Sequence, residues 1–152
     1  MIKVLFICHG NICRSAMAKY IFEDMLEKRG ISSLFTVDSA ATSREEIGNP
    51  VYPPARKKLA EHGISCAGHS ARQVTKADYE ENDYLIVMED YNIRNLKRII
   101  SDDPEEKVHK LLEYDGSGKD IDDPWYTGDF ETTYKEIVSG LEGFLKFLGF
   151  AG

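Results

Sequence analysis

The chain has 152 residues and a formal net charge of −7, and this length suits one domain with a full hydrophobic core. Apolar residues make up 42% and charged residues 30%, a composition typical of globular proteins. The negative charge argues against a general binder of nucleic acid or of an anionic membrane, although a local positive site remains open. The N-terminal apolar run is too short for a signal peptide or a membrane span. We therefore expect a single domain over residues 1–152, with no membrane partner and no nucleic-acid partner.

The chain contains three cysteines, Cys8, Cys13 and Cys66. A small odd number of cysteines without a framework spacing indicates a reducing compartment, so we expect a cytoplasmic protein. These cysteines and the four histidines do not follow the spacing of metal ligands, and we expect neither a metal nor a cofactor. We also expect a monomer, with weak dimerisation left open.

Hydrophobic periodicity predicts strands that alternate with helices along the chain. The apolar run at 2–7 predicts a buried strand, and residues 15–29 predict an amphipathic helix that ends at Gly30. A second strand at 34–41 leads into a loop at 42–54, where Gly-Asn-Pro and Pro-Pro are turn signals. This alternation predicts an α/β domain with a parallel sheet and helices on both faces. The remaining predicted elements are helices at 54–62, 75–82, 91–100 and 130–147, strands at 84–88 and 108–112, and a Gly/Asp-rich loop at 116–128.

The segment VLFICHGNICRS, residues 4–15, combines a strand end, a tight loop and a helix start. Amide groups in such a loop, together with the positive end of the helix, can bind an anion. The same field lowers the pKa of a cysteine, which predicts a thiolate nucleophile at Cys8. The planar guanidinium of Arg14, six residues later, matches two phosphate oxygens. We therefore hypothesise that the loop binds a phosphoryl group with its phosphorus facing the sulfur of Cys8.

A cysteine and an arginine at this spacing are a weak motif by themselves. The alternative is a buried cysteine at a strand end and an arginine on the surface. Gly10 permits a strained or left-handed backbone, Asn11 tolerates one, and Ser15 can hydrogen-bond a thiolate. This context favours the anion site.

The sequence CHGNICRS resembles the phosphate-binding loop of the low-molecular-weight protein tyrosine phosphatases, and further matches extend over nearly the whole chain. The resemblance implies a three-layer domain with a four-stranded parallel sheet and the phosphate loop between strand 1 and helix 1. It also implies metal-independent hydrolysis of phosphotyrosine in a protein, or of an aryl phosphate, through a cysteinyl-phosphate intermediate. The residues that it places around the phosphate are His9, Gly10, Asn11, Ile12, Cys13 and Ser15.

The stretch DIDDPWY contains the candidate general acid, a carboxyl group that protonates the leaving oxygen. Pro124 biases Asp123 toward an extended backbone, and Trp125 and Tyr126 could form the wall of a slot for a flat aromatic substrate. An Asp-Pro pair alone is more often an ordinary turn. The family has an aspartate-proline-aromatic-aromatic motif whose acid matches Asp123, with Asp122 as the alternative. Trp125 stands where a tyrosine is usual, which could change substrate preference.

The resemblance also implies a hydrogen-bond network that supports the loop, formed by Asn11, Ser15, Ser39 and His69. By itself, His69 would be an ordinary core or surface histidine.

The sequence departs from the family pattern at two acidic residues. Glu89 replaces a common aspartate, which leaves its supporting role open. Glu45 lies where eukaryotic members have an aromatic residue, which predicts a more polar wall of the pocket. His9 directly follows the predicted nucleophile Cys8 in the sequence and could perturb it.

Three other functions are alternatives for such a loop. Thiol-linked arsenate reduction needs a further cysteine pair, and residues 70–100 contain no cysteine. Phosphoarginine phosphatases of this family carry threonine at the position of Ile12, whose bulk favours the longer phosphotyrosine. A non-catalytic anion-binding or redox-sensing module is the third alternative, because Cys13 could form a reversible disulfide with Cys8.

Overall fold

The computed structural model describes residues 1–150, and within this range four parallel strands form one sheet. The last two residues of the expected 1–152 domain lie outside this description. The strand order is β2-β1-β3-β4, so the first strand is central. The strands are β1 (Ile2–Cys8), β2 (Phe35–Ala41), β3 (Tyr84–Val87) and β4 (Val108–Lys110).

Helices cover both faces of the sheet, as predicted. Alternating residues of β1 face opposite ways: Phe6 packs into the core under one layer of helices, and Ile7 packs into the core under the other. Both side chains are fully buried, which explains the unbroken apolar run. The helices in the described range are α1 (Arg14–Lys28), α2 (Pro53–Glu61), α3 (Lys76–Glu81), α4 (Asp90–Ile100), α5 (Pro124–Thr127) and α6 (Phe130–Phe147). Helices α1, α2 and α6 contribute to the first core, and α3 and α4 to the second.

The parallel arrangement brings the carboxyl ends of the strands to one edge of the sheet. Cys8, the last residue of β1, pairs with Ala41, the last residue of β2. The Thr42 amide then donates to the Cys8 carbonyl at 2.9 Å, and the Ser43 amide donates to the His9 carbonyl at 3.1 Å. The loop after β2 is therefore fixed beside the loop after β1, at the edge where open α/β sheets hold their ligands.

Helix α6 approaches the segment after β4 closely because two of its residues are glycines. A Cβ atom on Gly143 would lie 2.0 Å from the carbonyl oxygen of Tyr114, and one on Gly140 would lie 2.5 Å from Cγ of Leu111. Any side chain at these positions would therefore push the helix away from this segment.

Two sequence predictions need correction. The predicted loop at 116–128 contains helix α5, because Asp123 caps it by accepting a 3.0 Å hydrogen bond from the Trp125 amide and Pro124 occupies the first helical position. The strand predicted at 108–112 ends at Lys110 and continues as the 3₁₀ turn Leu111–Glu113.

Among residues 1–150, no helix has the length and apolar character needed to cross a membrane.

Candidate active site

The sulfur of Cys8 lies at the base of the loop between β1 and α1. The amides of Asn11 and Ser15 donate to this sulfur at 3.3 and 3.4 Å. The Ser15 hydroxyl lies 3.0 Å from it. These polar hydrogens stabilise negative charge on the sulfur at the start of α1. The predicted nucleophile is thus surrounded by the groups that a thiolate requires.

The left-handed residue of the loop is Asn11, with φ of 60°, and it is fully buried. Gly10, which permits such a backbone, does not adopt a φ in the left-handed region. A Cβ on Gly10 would lie 3.4 Å from Cγ of Glu46. This is an ordinary van der Waals distance to a flexible side chain, so packing alone would admit a Cβ here.

The side chain of Asn11 connects the phosphate loop to two other segments. Its Nδ2 donates to the hydroxyls of Ser15 and Ser39, each at 2.9 Å. Its Oδ1 accepts from the Arg72 amide at 3.3 Å. The Nε2 of His69 lies 2.7 Å from the Asn11 carbonyl oxygen and donates to it. The structure therefore brings together all four residues of the expected supporting network.

Burial lowers the pKa of His69, and this effect outweighs the hydrogen bond to Asn11, which would raise the pKa. The imidazole is consequently neutral at neutral pH. Because its Nε2 donates to a carbonyl, the neutral ring carries its proton on that nitrogen.

Arg14 is 2% exposed and reaches across to the acid segment. Its Nη1 donates to the Glu89 carboxylate and, at 2.9 Å, to the carbonyl of Ile121. Its Nη2 lies 3.4 Å from Oδ2 of Asp123. Burial alone would lower the pKa of Arg14, but the nearby charges of Cys8, Asp123 and Glu89 raise it. The guanidinium is therefore a fixed cation between the two predicted catalytic groups.

Glu89 contacts Arg14 directly, which answers the question that its departure from the family pattern left open. Its longer side chain still reaches the guanidinium. The Oδ1 of Asn92 accepts from the Met88 amide at 3.0 Å and the Glu89 amide at 3.2 Å. Sequence analysis missed Asn92, although an asparagine in the first turn, three residues after Glu89, is a capping pattern that could have revealed it.

A cavity of about 140 Å³ opens above Cys8. Asp123 lines this cavity and also the adjoining groove, whereas Asp122 lines only the groove. Of the two candidate acids, Asp123 is thus the one that shares a cavity with the sulfur. The residues around the cavity are Cys8, His9, Gly10, Ile12, Cys13, Arg14, Glu45, Glu46, Asp123, Trp125 and Tyr126.

An aromatic wall closes one side of the cavity. Trp125 is 49% exposed and its ring centroid lies 4.5 Å from that of Tyr52. Tyr126 is 83% exposed, so it stands at the rim. Both rings line the cavity, where the sequence predicted the wall of a slot for a flat aromatic substrate.

The lining of the cavity also includes polar residues, as the glutamate at position 45 predicted. The Nε2 of His9 lies 2.8 Å from Oε2 of Glu45, and Glu46 also lines the cavity. Sequence analysis named both His9 and Glu45 but did not predict that they pair.

All three cysteines are free and buried. Burial, together with the charge of Cys8, raises the pKa of Cys13. Cys13 is therefore a thiol at neutral pH. Within the described part of the chain, no group of three or more histidine, cysteine, aspartate or glutamate side chains is arranged to hold a metal ion.

The fold, together with a cavity that combines a sulfur, an anion-binding loop and a carboxyl group, is that of a cysteine-dependent phosphatase. The sequence model described as low molecular weight phosphotyrosine protein phosphatase matches residues 3–150. The chain belongs to this family, and it is a low-molecular-weight protein tyrosine phosphatase that acts on phosphoproteins.

Individual relatives and solved structures are similar to this chain over nearly its whole length. The low molecular weight protein-tyrosine-phosphatase YfkJ of Bacillus subtilis is 40% identical over 147 residues, covering 95% of this chain and 94% of the relative. The human low molecular weight phosphotyrosine protein phosphatase is 40% identical over 149 residues, with the same coverage of 95% and 94%. The crystal structure of YfkJ matches with a TM-score of 0.93 at 39% identity, covering 98% of this chain and 95% of that one. A Drosophila arginine phosphatase matches with a TM-score of 0.87 at 29% identity, covering 97% and 98%.

Proposed function

We propose that the protein hydrolyses phosphotyrosine in proteins, with Cys8 as nucleophile, Arg14 as the cation that binds phosphate, and Asp123 as general acid and base. The observation that carries this assignment is that one cavity is lined by all three residues. The 3.4 Å approach of Asp123 to Arg14 places the carboxyl group beside the phosphate site. We expect a single cytoplasmic domain, because its three cysteines are free, and we expect a monomer with weak dimerisation left open.

The first step transfers the phosphoryl group to the enzyme. The thiolate of Cys8 forms a bond to phosphorus while the bond from phosphorus to the tyrosine oxygen breaks. Asp123 gives its proton to that oxygen, so the leaving group departs as a neutral phenol. The loop amides and the guanidinium of Arg14 stabilise the charge on the equatorial oxygens.

The second step releases phosphate. The carboxylate of Asp123 takes a proton from water, whose oxygen attacks phosphorus. The sulfur–phosphorus bond breaks, and Cys8 leaves as a thiolate. The supporting network around Asn11 keeps the loop in one conformation through both steps.

The cavity favours a flat substrate. Ile12, Trp125 and Tyr126 line it and offer apolar contacts to an aryl ring. The phosphate must reach the base of the loop, and an aromatic side chain spans this distance better than a short serine or threonine.

A phosphotyrosine peptide assayed in EDTA and reductant tests the assignment. We expect Cys8→Ser to be inactive. The activity of Asp123→Ala should fall by roughly 10²- to 10⁴-fold, the usual contribution of general acid–base catalysis. The activity of Asp122→Ala should stay close to that of the wild type. Equal losses from the two aspartate variants would contradict the role of Asp123. A wild type that binds phosphate without hydrolysing any substrate would indicate the non-catalytic module instead.

A second candidate is hydrolysis of phosphoarginine, because the fold also matches that of an arginine phosphatase. Ile12 argues against it, since its bulk narrows the cavity where a planar guanidinium would lie. A phosphoarginine substrate in the same assay separates the two activities. We expect it to be a poor substrate of the wild type.

A further inference from the structure

Lys110, the last residue of β4, joins the start of α4 to the segment that precedes Asp123. Its Nζ lies 3.0 Å from Oδ1 of Asp120 and 3.2 Å from Oδ1 of Asp90. The Asp90 amide also donates to Asp120 Oδ1, at 3.1 Å. The lysine side chain is 13% exposed, so it is held in place between the two carboxylates.

The ammonium of Lys110 is needed to keep these carboxylates close together. Burial alone would lower the pKa of Lys110, but the hydrogen bonds to Asp120 and Asp90 raise it, so the side chain stays charged. Without this charge, Asp90 and Asp120 would repel each other. Asp120 would then be held at the start of α4 by the Asp90 amide alone.

The segment that follows Asp120 leads directly to the catalytic acid. The Ile121 amide donates to the Met88 carbonyl at 2.9 Å, and the Ile121 carbonyl accepts from Nη1 of Arg14 at 2.9 Å. One residue separates Ile121 from Asp123, and Asp123 caps helix α5. Asp120 is thus joined to Asp123 by a segment of two residues, of which Ile121 is held by Met88 and Arg14.

We propose that Lys110 is a positioning residue for the general acid: it fixes Asp120 so that Asp123 points at the leaving oxygen. Within the described range, Lys110 is not among the residues that line the cavity of Cys8, so it acts through the segment and not on the substrate. This inference rests on the proposed role of Asp123 and adds a residue from a different strand to that machinery.

The test compares two substrates that differ in their need for a proton. Phenolate is basic, with a conjugate-acid pKa of about 10 as in tyrosine, and must be protonated as it leaves, whereas 4-nitrophenolate leaves without help. In Lys110→Met we expect kcat/KM for phenyl phosphate to fall roughly tenfold while that for 4-nitrophenyl phosphate changes by less than about twofold, since a misplaced acid affects the demanding leaving group most. Lys110→Arg should restore the wild-type ratio.

A second variant and a matched control complete the experiment. Asp120→Asn removes the negative charge that Lys110 contacts. It should change the ratio of kcat/KM for the two substrates in the same direction, so the inference is tested even if Lys110→Met fails to fold. Lys58 is the control, because its Nζ also lies between two carboxylates, 2.8 Å from Glu61 and 2.9 Å from Glu131, and is 17% exposed. Lys58→Met should leave the ratio of the two substrates unchanged.

The outcomes distinguish the inference from the proposed function. If Asp123→Asn selectively impairs phenyl phosphate but Lys110→Met and Asp120→Asn lower both substrates equally, Lys110 has a structural role alone and the inference is wrong. If Asp123→Asn shows no selectivity between the substrates, the assignment of Asp123 as general acid is wrong instead.

Discussion

The imidazole of His69 donates a 2.7 Å hydrogen bond to the carbonyl oxygen of Asn11, the residue of the phosphate loop that has a positive φ. A left-handed non-glycine residue is strained, and it persists where surrounding contacts determine its conformation. Here the contacts are the hydrogen bond from His69 and the two hydrogen bonds that the side-chain amide of Asn11 donates to Ser15 and Ser39. The geometry around Cys8 therefore depends on a histidine 58 residues further along the chain.

Substitutions of Asn11 separate the strain from the side-chain contacts. Asn11→Gly keeps the left-handed backbone but removes the amide, so we expect lower activity with a modest loss of stability. Asn11→Ala should be less stable than Asn11→Gly by about 1 kcal/mol, because alanine disfavours this φ. Urea denaturation and kcat measure the two effects. At Asn82, which has φ of −106°, alanine should not be less stable than glycine; the same penalty there would contradict the argument from strain.

The lowered pKa of His69 predicts a dependence of stability on pH. Between the unfolded value of about 6.5 and the lower folded value, the unfolded state binds more protons, so the free energy of unfolding decreases as the pH falls. Above a pH of about 6.5, His69 is neutral in both the folded and the unfolded state, so it adds no pH dependence to the free energy of unfolding. Urea denaturation at several pH values should show the decrease in the wild type and a smaller one in His69→Gln. Identical profiles for the two proteins would exclude His69 as the source.

The raised pKa of Cys13 predicts that the two cysteines of the loop react differently. Iodoacetamide at neutral pH should modify Cys8 before Cys13, because the thiolate is the reactive form. Cys13→Ser should retain most activity, whereas Cys8→Ser should not. Peptide mapping by mass spectrometry identifies the modified residue, and Cys66→Ser serves as the control.

Mild oxidation tests the expected disulfide between Cys8 and Cys13. Peroxide should inactivate the wild type reversibly and the Cys13→Ser variant irreversibly, since a disulfide protects the nucleophile from further oxidation. Recovery of activity with a thiol reductant is the measurement. Equal recovery of the two proteins would eliminate the disulfide as a protective device.

Substitution of Ile12 should change the preference between phosphotyrosine and phosphoarginine. It is 8% exposed and lines the cavity beside Arg14. Ile12→Thr should raise kcat/KM for phosphoarginine relative to phosphotyrosine by roughly tenfold, the order expected for one methylene in a tight pocket. Ile12→Val removes a methylene without adding a hydroxyl, and so distinguishes space from polarity. An unchanged ratio in both variants would show that another residue sets the preference.

The sequence predicted the sheet, its helices and the loop of Cys8 and Arg14 because these features are local. Continuous apolar runs identify buried strands, and glycine ends helices at a fixed position. The strand order β2-β1-β3-β4 was not predicted, since it depends on contacts between distant segments. Helix α5 was missed because it is four residues long and has no hydrophobic period.

Within the site, the limits of prediction were similar. The sequence could not predict that the side chain of Glu89 contacts Arg14, because this contact depends on where β3 ends relative to the phosphate loop. The pairing of His9 with Glu45 and the contacts of Lys110 join residues that are distant in the chain. The left-handed backbone was expected at Gly10 or Asn11, and only the network around the Asn11 amide explains why it occurs at the asparagine.

The close approach of α6 at Gly143 limits how this enzyme can be stabilised by engineering. Replacing a glycine within a helix by alanine usually increases stability by up to about 1 kcal/mol, so Gly143 would be an obvious choice for a thermostability screen. At this position the added methyl group would collide with backbone atoms of Tyr114, which cannot rotate away as a side chain would. The segment after Tyr114 continues to Asp120 and Asp123, so a displaced helix would also disturb the acid. The ordinary rule for helix design is thus reversed at this glycine.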